Sequence, residues 1–164
     1  MPENQNPKAG FTVVREDLLP IADLRPRIDG NHTYQSSLVP LFALEKDEEG
    51  DLPTPGKNFR LLVVWTKGYG CRIFADLNCV TTNYIAGTTI VLDVEFDNDE
   101  VVDLNSEQAK ALAKWASHVA YDFAALSLRQ LSANNPVTKE LDLPISPFEP
   151  QIDVLIGDRD KSDQ

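Results

Sequence analysis

FRLLVVWTKGYGCRIFADLNC, running from Phe59 to Cys79, is the stretch on which the fold turns. Phe59, Leu61, Val63 and Trp65 alternate with Arg60, Leu62, Val64 and Thr66. A period of two with apolar residues on both sides describes a strand in the middle of a sheet. Gly68, Tyr69 and Gly70 then punctuate a hairpin. Beyond them Cys71, Ile73, Ala75, Leu77 and Cys79 fall on one face of a second strand, while Arg72, Asp76 and Asn78 fall on the other.

Toward the N-terminus, Phe11 to Ile28 mixes β-branched residues with Pro20 and Pro26, which have no N–H to give to a ladder, so it reads as a broken edge strand. Gly30 and Asn31 mark a turn. A strand from Tyr34 to Lys46 follows, anchored by Leu38, Leu41, Phe42 and Leu44, with Pro40 at an edge or bulge. The run KDEEGDLPTPGKN is a loop. Downstream, Gly87 ends the second hairpin strand, and Ile90, Leu92, Val94 and Phe96 alternate with Asp93 and Glu95 as a last extended segment or a continuation past a bulge.

The segment from Asp93 to Glu107 holds seven acidic residues and no basic one, then gives way to a helical pattern. Asn105 or Ser106 is the N-cap, Gln108 occupies the capping-box position, and Leu104 stands opposite Ala109 as a staple. The helix runs to about Ala133, where Asn134, Asn135 and Pro136 stop it. At ~1.5 Å per residue it is on the order of 40 Å long.

Leu112, Ala116, Val119, Phe123 and Leu126 lie along one line of this helix, and Ala120, Ala124, Leu128 and Leu131 along another. One face is expected to cover the sheet. The face with Ala120, Ala124 and Leu128 is expected to meet a second subunit. Crossover helices are absent from the first hundred residues. The fold class is therefore α+β: an antiparallel sheet of four or five strands packed by a long helix in the C-terminal half.

A chain of 164 residues, 42% hydrophobic, is long enough to bury one core without disulfides or a structural metal. Residues 1–10 read as a disordered start, 11–156 as a single domain and 157–164 as a disordered acidic tail. A formal charge of -11, with Lys and Arg scattered, argues against nucleic acid as a partner. Lys110, Lys114, His118, Asp122 and Arg129 interrupt the longest apolar stretch, which argues against membrane insertion. MPENQNPKAG lacks a basic segment followed by an apolar run, so a cytoplasmic location is expected.

No catalytic set stands out. His32 and His118 have no second ligand at metal spacing, no glycine-rich turn joins a strand to a helix, and Cys71 and Cys79 sit mid-strand where thiols are inert packing. The 26 carboxylates are scattered as on a solvated surface. The expectation is a binding protein with no metal, cofactor or enzymatic activity.

The order of elements, together with VAYDFAALSLRQLSANNPVTKELDLPISPFEP, resembles the SecB family of export chaperones and its relatives in Gram-positive bacteria. Tyr121, Ala124 and Ala125 match the family's aromatic- and alanine-bearing helix. Leu141, Leu143, Pro144, Pro147 and Phe148 match its Leu-x-Leu-x-Pro-x-x-Phe-like stretch, and Ile85 to Gly87 matches a tripeptide that ends a strand.

The chain departs from the family in a longer stretch between Gly87 and the helix, a Pro150 to Ile156 segment that is short for a second helix, and a tail, GDRDKSDQ, without the family's zinc-binding Cys and His. The resemblance implies ATP-independent binding of unfolded or nascent proteins in apolar grooves, by a homo-oligomer. The residues expected to line such a groove are Phe42, Trp65, Phe74, Leu143, Ile145 and Phe148. Its floor would be the sheet, and its wall the stretch Leu141 to Phe148.

Overall fold

The computed structural model describes residues 15–44, 50, 53–97, 103–133, 141, 143–144, 147 and 149–157. A 3₁₀ helix at Glu16–Ile21 leads into β1, Pro26–Pro40, and a second 3₁₀ turn, Leu41–Ala43. Then come β2, Gly56–Thr66, β3, Gly70–Val80, and β4, Tyr84–Phe96. The helix α1, Ser106–Ala133, and β5, Gln151–Gly157, complete the order. The five strands form one sheet in the order β1-β4-β3-β2-β5. Every pairing is antiparallel except β2 with β5, so the sheet is mixed.

The alternation in the sequence becomes two unlike faces. Phe59, Leu61, Val63 and Trp65 of β2 lie across from Leu77, Ala75, Ile73 and Cys71 of β3, and these continue to Thr88, Ile90, Leu92 and Val94 of β4. All twelve are buried, with Ala113, Ala116, Ala120, Ala124 and Leu128 of α1 in the same core. Fully burying a large aliphatic or aromatic side chain is worth about 1.5–3 kcal/mol, so this layer is the main source of stability. The alanines let the helix backbone lie close to the sheet.

The helix starts where its capping residues dictate. Asn105 Oδ1 accepts from the Gln108 amide at 2.8 Å, and Gln108 Oε1 accepts from the Asn105 amide at 3.1 Å, a reciprocal box that satisfies two N–H groups at the helix start.

Several boundaries differ from expectation. Gly30 and Asn31 lie inside β1, at one of its two register shifts, because a glycine can serve a bulge as well as a turn. The two N-terminal strands are therefore one, and it ends at Pro40, not at Lys46. The proline-bearing segment around Pro20 is a 3₁₀ helix, not an edge strand. Gly87 sits within β4 and does not end a strand. The turn before β4 is made by Thr81, whose Oγ1 accepts from the amides of Asn83 and Tyr84 at 3.2 and 3.1 Å. Phe59 to Thr66 is interior as expected, with β3 at the centre of the sheet. Gly157, assigned to the tail, is the last residue of β5. Residues 1–10 and 158–164 lie outside the described residues.

Candidate protein-binding surface

The sheet face away from α1 is built differently from the core face. Its side chains come from the alternate positions: Arg60, Leu62, Val64 and Thr66 of β2, Arg72, Phe74, Asp76 and Asn78 of β3, and Thr89, Val91, Asp93 and Glu95 of β4. Leu62, Val64 and Phe74 are half-buried, and across the strands Leu62 is followed by Phe74 and then by Val91, which is itself buried. At the β5 end this apolar band continues with Leu155, 58% exposed, beside Val64.

Ion pairs between neighbouring strands frame the band. Arg60 Nε donates to Asp153 Oδ2 at 2.6 Å, Arg72 Nε to Asp93 Oδ1 at 2.9 Å, and Arg27 to Glu95 at 2.6 Å. The hydrogen bond to Glu95 raises the Arg27 pKa further above its ordinary value. Water screens exposed pairs of this kind, so they contribute little stability. They flank the apolar band.

Near the other end of the same face lies a hollow of about 240 Å³, lined by Gln35, Ser37, Asp76, Asn78, Gly87, Thr88 and Thr89. A Cβ on Gly87 would meet Asn78 Oδ1 at 2.5 Å, so the Asn78 carboxamide depends on a glycine there.

Of the six residues expected to line one groove, the four that are described do not come together. Phe42 projects from the 3₁₀ turn, 92% exposed. Trp65 is in the core, 4% exposed, and Phe74 stands on the opposite face of the sheet, because the two positions have opposite parity along paired strands. Leu143 is buried against the core, and Ile145 and Phe148 lie outside the described residues. Tyr121, named above only as part of the resemblance, and Arg129, named only as a charge in the helix, hold Leu143 and Pro144. Tyr121 Oη donates to the Pro144 carbonyl at 2.8 Å, and Arg129 donates to the Leu143 carbonyl at 3.5 Å. The Tyr121 ring packs edge-on against Phe59 with centroids 5.3 Å apart, and burial pushes its phenol pKa up. Tyr121 beside Ala124 and Ala125, with a hydroxyl that needs a partner once the ring is buried, is the signal the sequence offers.

The expected assembly face is also corrected. Ala120, Ala124 and Leu128 are enclosed between helix and sheet in the single chain, so they are not available to a second copy. The outward side of α1 presents Val119 and Leu126 instead, 39% and 50% exposed, with Trp115 and Phe123 half-buried nearby.

Burial pushes the Cys71 thiol up to about 12, and burial also raises Cys79, so neither is a nucleophile near neutrality. Among the described residues no three His, Cys, Asp or Glu side chains come together as a metal site, and no helix is long and apolar enough to cross a membrane.

This arrangement of strands and helix is similar to that of the Mycobacterium tuberculosis SecB-like chaperone Rv1957, solved in complex with a ChAD peptide from the Rv1956 HigA1 antitoxin. The likeness covers 80% of this chain and 98% of that one, with a TM-score of 0.53 at 14% identity. The chain has a SecB-like fold. No protein-family model matches the sequence, and no curated protein matches it. Among the described residues, the open sheet face with its β5 edge and the outward side of α1 both leave apolar side chains accessible, as do Leu19, Tyr34 and Phe42.

Proposed function

We propose that this chain is an ATP-independent, chaperone-like protein that binds apolar segments of unfolded or nascent proteins. The observation that carries the reading is the band of Leu62, Val64, Phe74 and Leu155 left accessible on a sheet whose other face is packed by α1 along β2, β3 and β4. Accessible apolar surface attracts apolar segments, and a chain with a net charge of -11 keeps such a complex soluble. The SecB-like neighbour, solved with a peptide of another protein, supports protein binding by this fold. The reading needs no catalytic step or cofactor. It includes a cytoplasmic location and assembly into a dimer or tetramer through the outward side of α1.

A second reading is an adaptor with one specific protein partner. It is favoured by the neighbour's capture of a segment from a single antitoxin, and by the presence of one methionine, the residue type that suits promiscuous surfaces. Suppression of the aggregation of an unrelated unfolded protein, without ATP, separates the two. The chaperone reading expects suppression at stoichiometric protein and weaker suppression by Phe74→Ala. Failure to suppress, with no binding to any member of an apolar peptide library, removes it and leaves the adaptor.

A further inference from the structure

The last strand sits on the sheet unlike the other four. It is the one parallel addition, and none of its seven residues is fully buried. Ile152, Val154 and Ile156 face the helix side across from Leu61, Val63 and Trp65, while Asp153 and Leu155 lie on the open face beside Leu62 and Val64. Arg60 grips Asp153 at 2.6 Å. The chain leading to β5 is fastened elsewhere: Leu143 is buried, the Pro144 carbonyl is bonded to Tyr121 and the Leu143 carbonyl to Arg129. β5 can therefore leave β2 without any fully buried side chain leaving the core. What it uncovers is a regular strand edge that wants a partner for its backbone groups, bordered by apolar side chains.

We propose that β5 is a built-in occupant of a strand-addition slot on β2, displaced when a protein segment of matching pattern binds there. The matching segment is extended and parallel to β2. It carries aliphatic residues at three alternate positions and a carboxylate between the first two, which Arg60 reads. The template for this pattern is β5 itself, Gln151–Gly157. The proposal rests on the protein-binding reading above and names its slot. Backbone hydrogen bonds give such strand addition its affinity, and alternate side chains give it its specificity. A tethered occupant lowers the apparent affinity of a free segment in proportion to the time the slot is closed.

The test uses the full chain and a fluorescent peptide Gln-Ile-Asp-Val-Leu-Ile-Gly, with binding read by anisotropy. Asp153→Arg sets two cations against each other and should open the slot, tightening peptide binding by about 5-fold or more over wild type. The double variant Val64→Cys, Leu155→Cys cross-links the neighbouring strands on oxidation and should lose binding by at least about 10-fold, with recovery on reduction. Arg60→Glu should also open the slot, but should prefer a peptide with lysine in place of its aspartate. Helical circular dichroism checks that each variant is folded.

Equal binding by the oxidised and reduced double variant overturns the slot, as does the absence of any gain in both opening variants. Dimers that form in Asp153→Arg and are prevented by the cross-link overturn the assignment to another protein, because the occupant is then a second copy exchanging β5. Failed peptide binding with aggregation suppression retained sinks the slot and leaves the chaperone reading standing; failure of both sinks both.

Discussion

The two faces of the sheet come from the same strands, residue by residue in alternation, yet they do different work. On the helix side, a charge or a void has nowhere to go, because Leu61, Ile73, Ala75, Leu77 and Leu92 are fully enclosed against α1. On the open side, Leu62 and Phe74 are only half-buried and stand among ion pairs that water already solvates. The contrast teaches that stability and recognition are separable in this molecule at the level of odd and even positions.

The largest effect is expected from Ala124→Glu, which puts a carboxylate where the helix meets the sheet. A partnerless buried charge costs about 3–5 kcal/mol, so the variant should fail to fold, with loss of both helical and sheet circular dichroism. If α1 instead met a second copy at Ala124, the variant would stay folded and only change mass in sedimentation.

A matched pair comes next. Leu77→Ala on the covered face should lower the free energy of unfolding in urea by about 2–5 kcal/mol. Phe74→Ala on the open face should lower it by less, and should weaken the binding of apolar peptides by about 1–2 kcal/mol. Equal destabilisation with unchanged binding would mean that the open face is a second core and not a binding surface.

Cys71 gives the covered face a pH signature. Its folded pKa, about 12, lies above the ordinary value of 9.0, so the unfolded chain gives up a proton more readily than the folded one in that window. The stability it contributes is fully present below pH 9 and should be lost as pH rises from 9 toward 12. The decline in urea midpoint should be shallower in Cys71→Ala than in wild type. The smallest effect belongs to the open face again: Arg72→Ala removes the pair with Asp93 and should change stability by only about 0–1 kcal/mol, less so at high salt.

Where local chemistry decides, the sequence was sufficient. The alternation in β2 and β3, the hairpin at Gly68 and Gly70, and the Asn105–Gln108 box all appear where the residues place them, because each depends on neighbours within a few positions. The differences at Gly30 and Gly87 have a common origin: a glycine suits a bulge or a strand interior as well as an end, and the Thr-Thr-Asn turn before β4 has neither glycine nor proline to mark it. β5 was missed because its partner strand lies ninety-one residues earlier, and no short-range pattern reports that pairing.

For the site, parity already separated Trp65 from Phe74. Trp65 keeps step with Phe59 and Leu61 and so belongs to the core, whereas Phe74 keeps step with Arg72 and Asp76. The half of the helix that faces the sheet was a different matter. Periodicity offers two apolar lines, and packing in three dimensions buries Ala120, Ala124 and Leu128 of one together with Leu112 and Ala116 of the other, leaving Val119 and Leu126 outside.

The long separation of β2 from β5 also imposes an order on synthesis. Gly157 follows its neighbour Thr66 by ninety-one residues, which at ~5–20 residues per second is about 5–20 s of translation. During that interval β2, β3, β4 and the helix can leave the ribosome and meet while one edge of the sheet still has no neighbour. The newborn chain thus carries, for some seconds, the same bare strand edge that invites aggregation in other proteins, and its own final strand is what closes it.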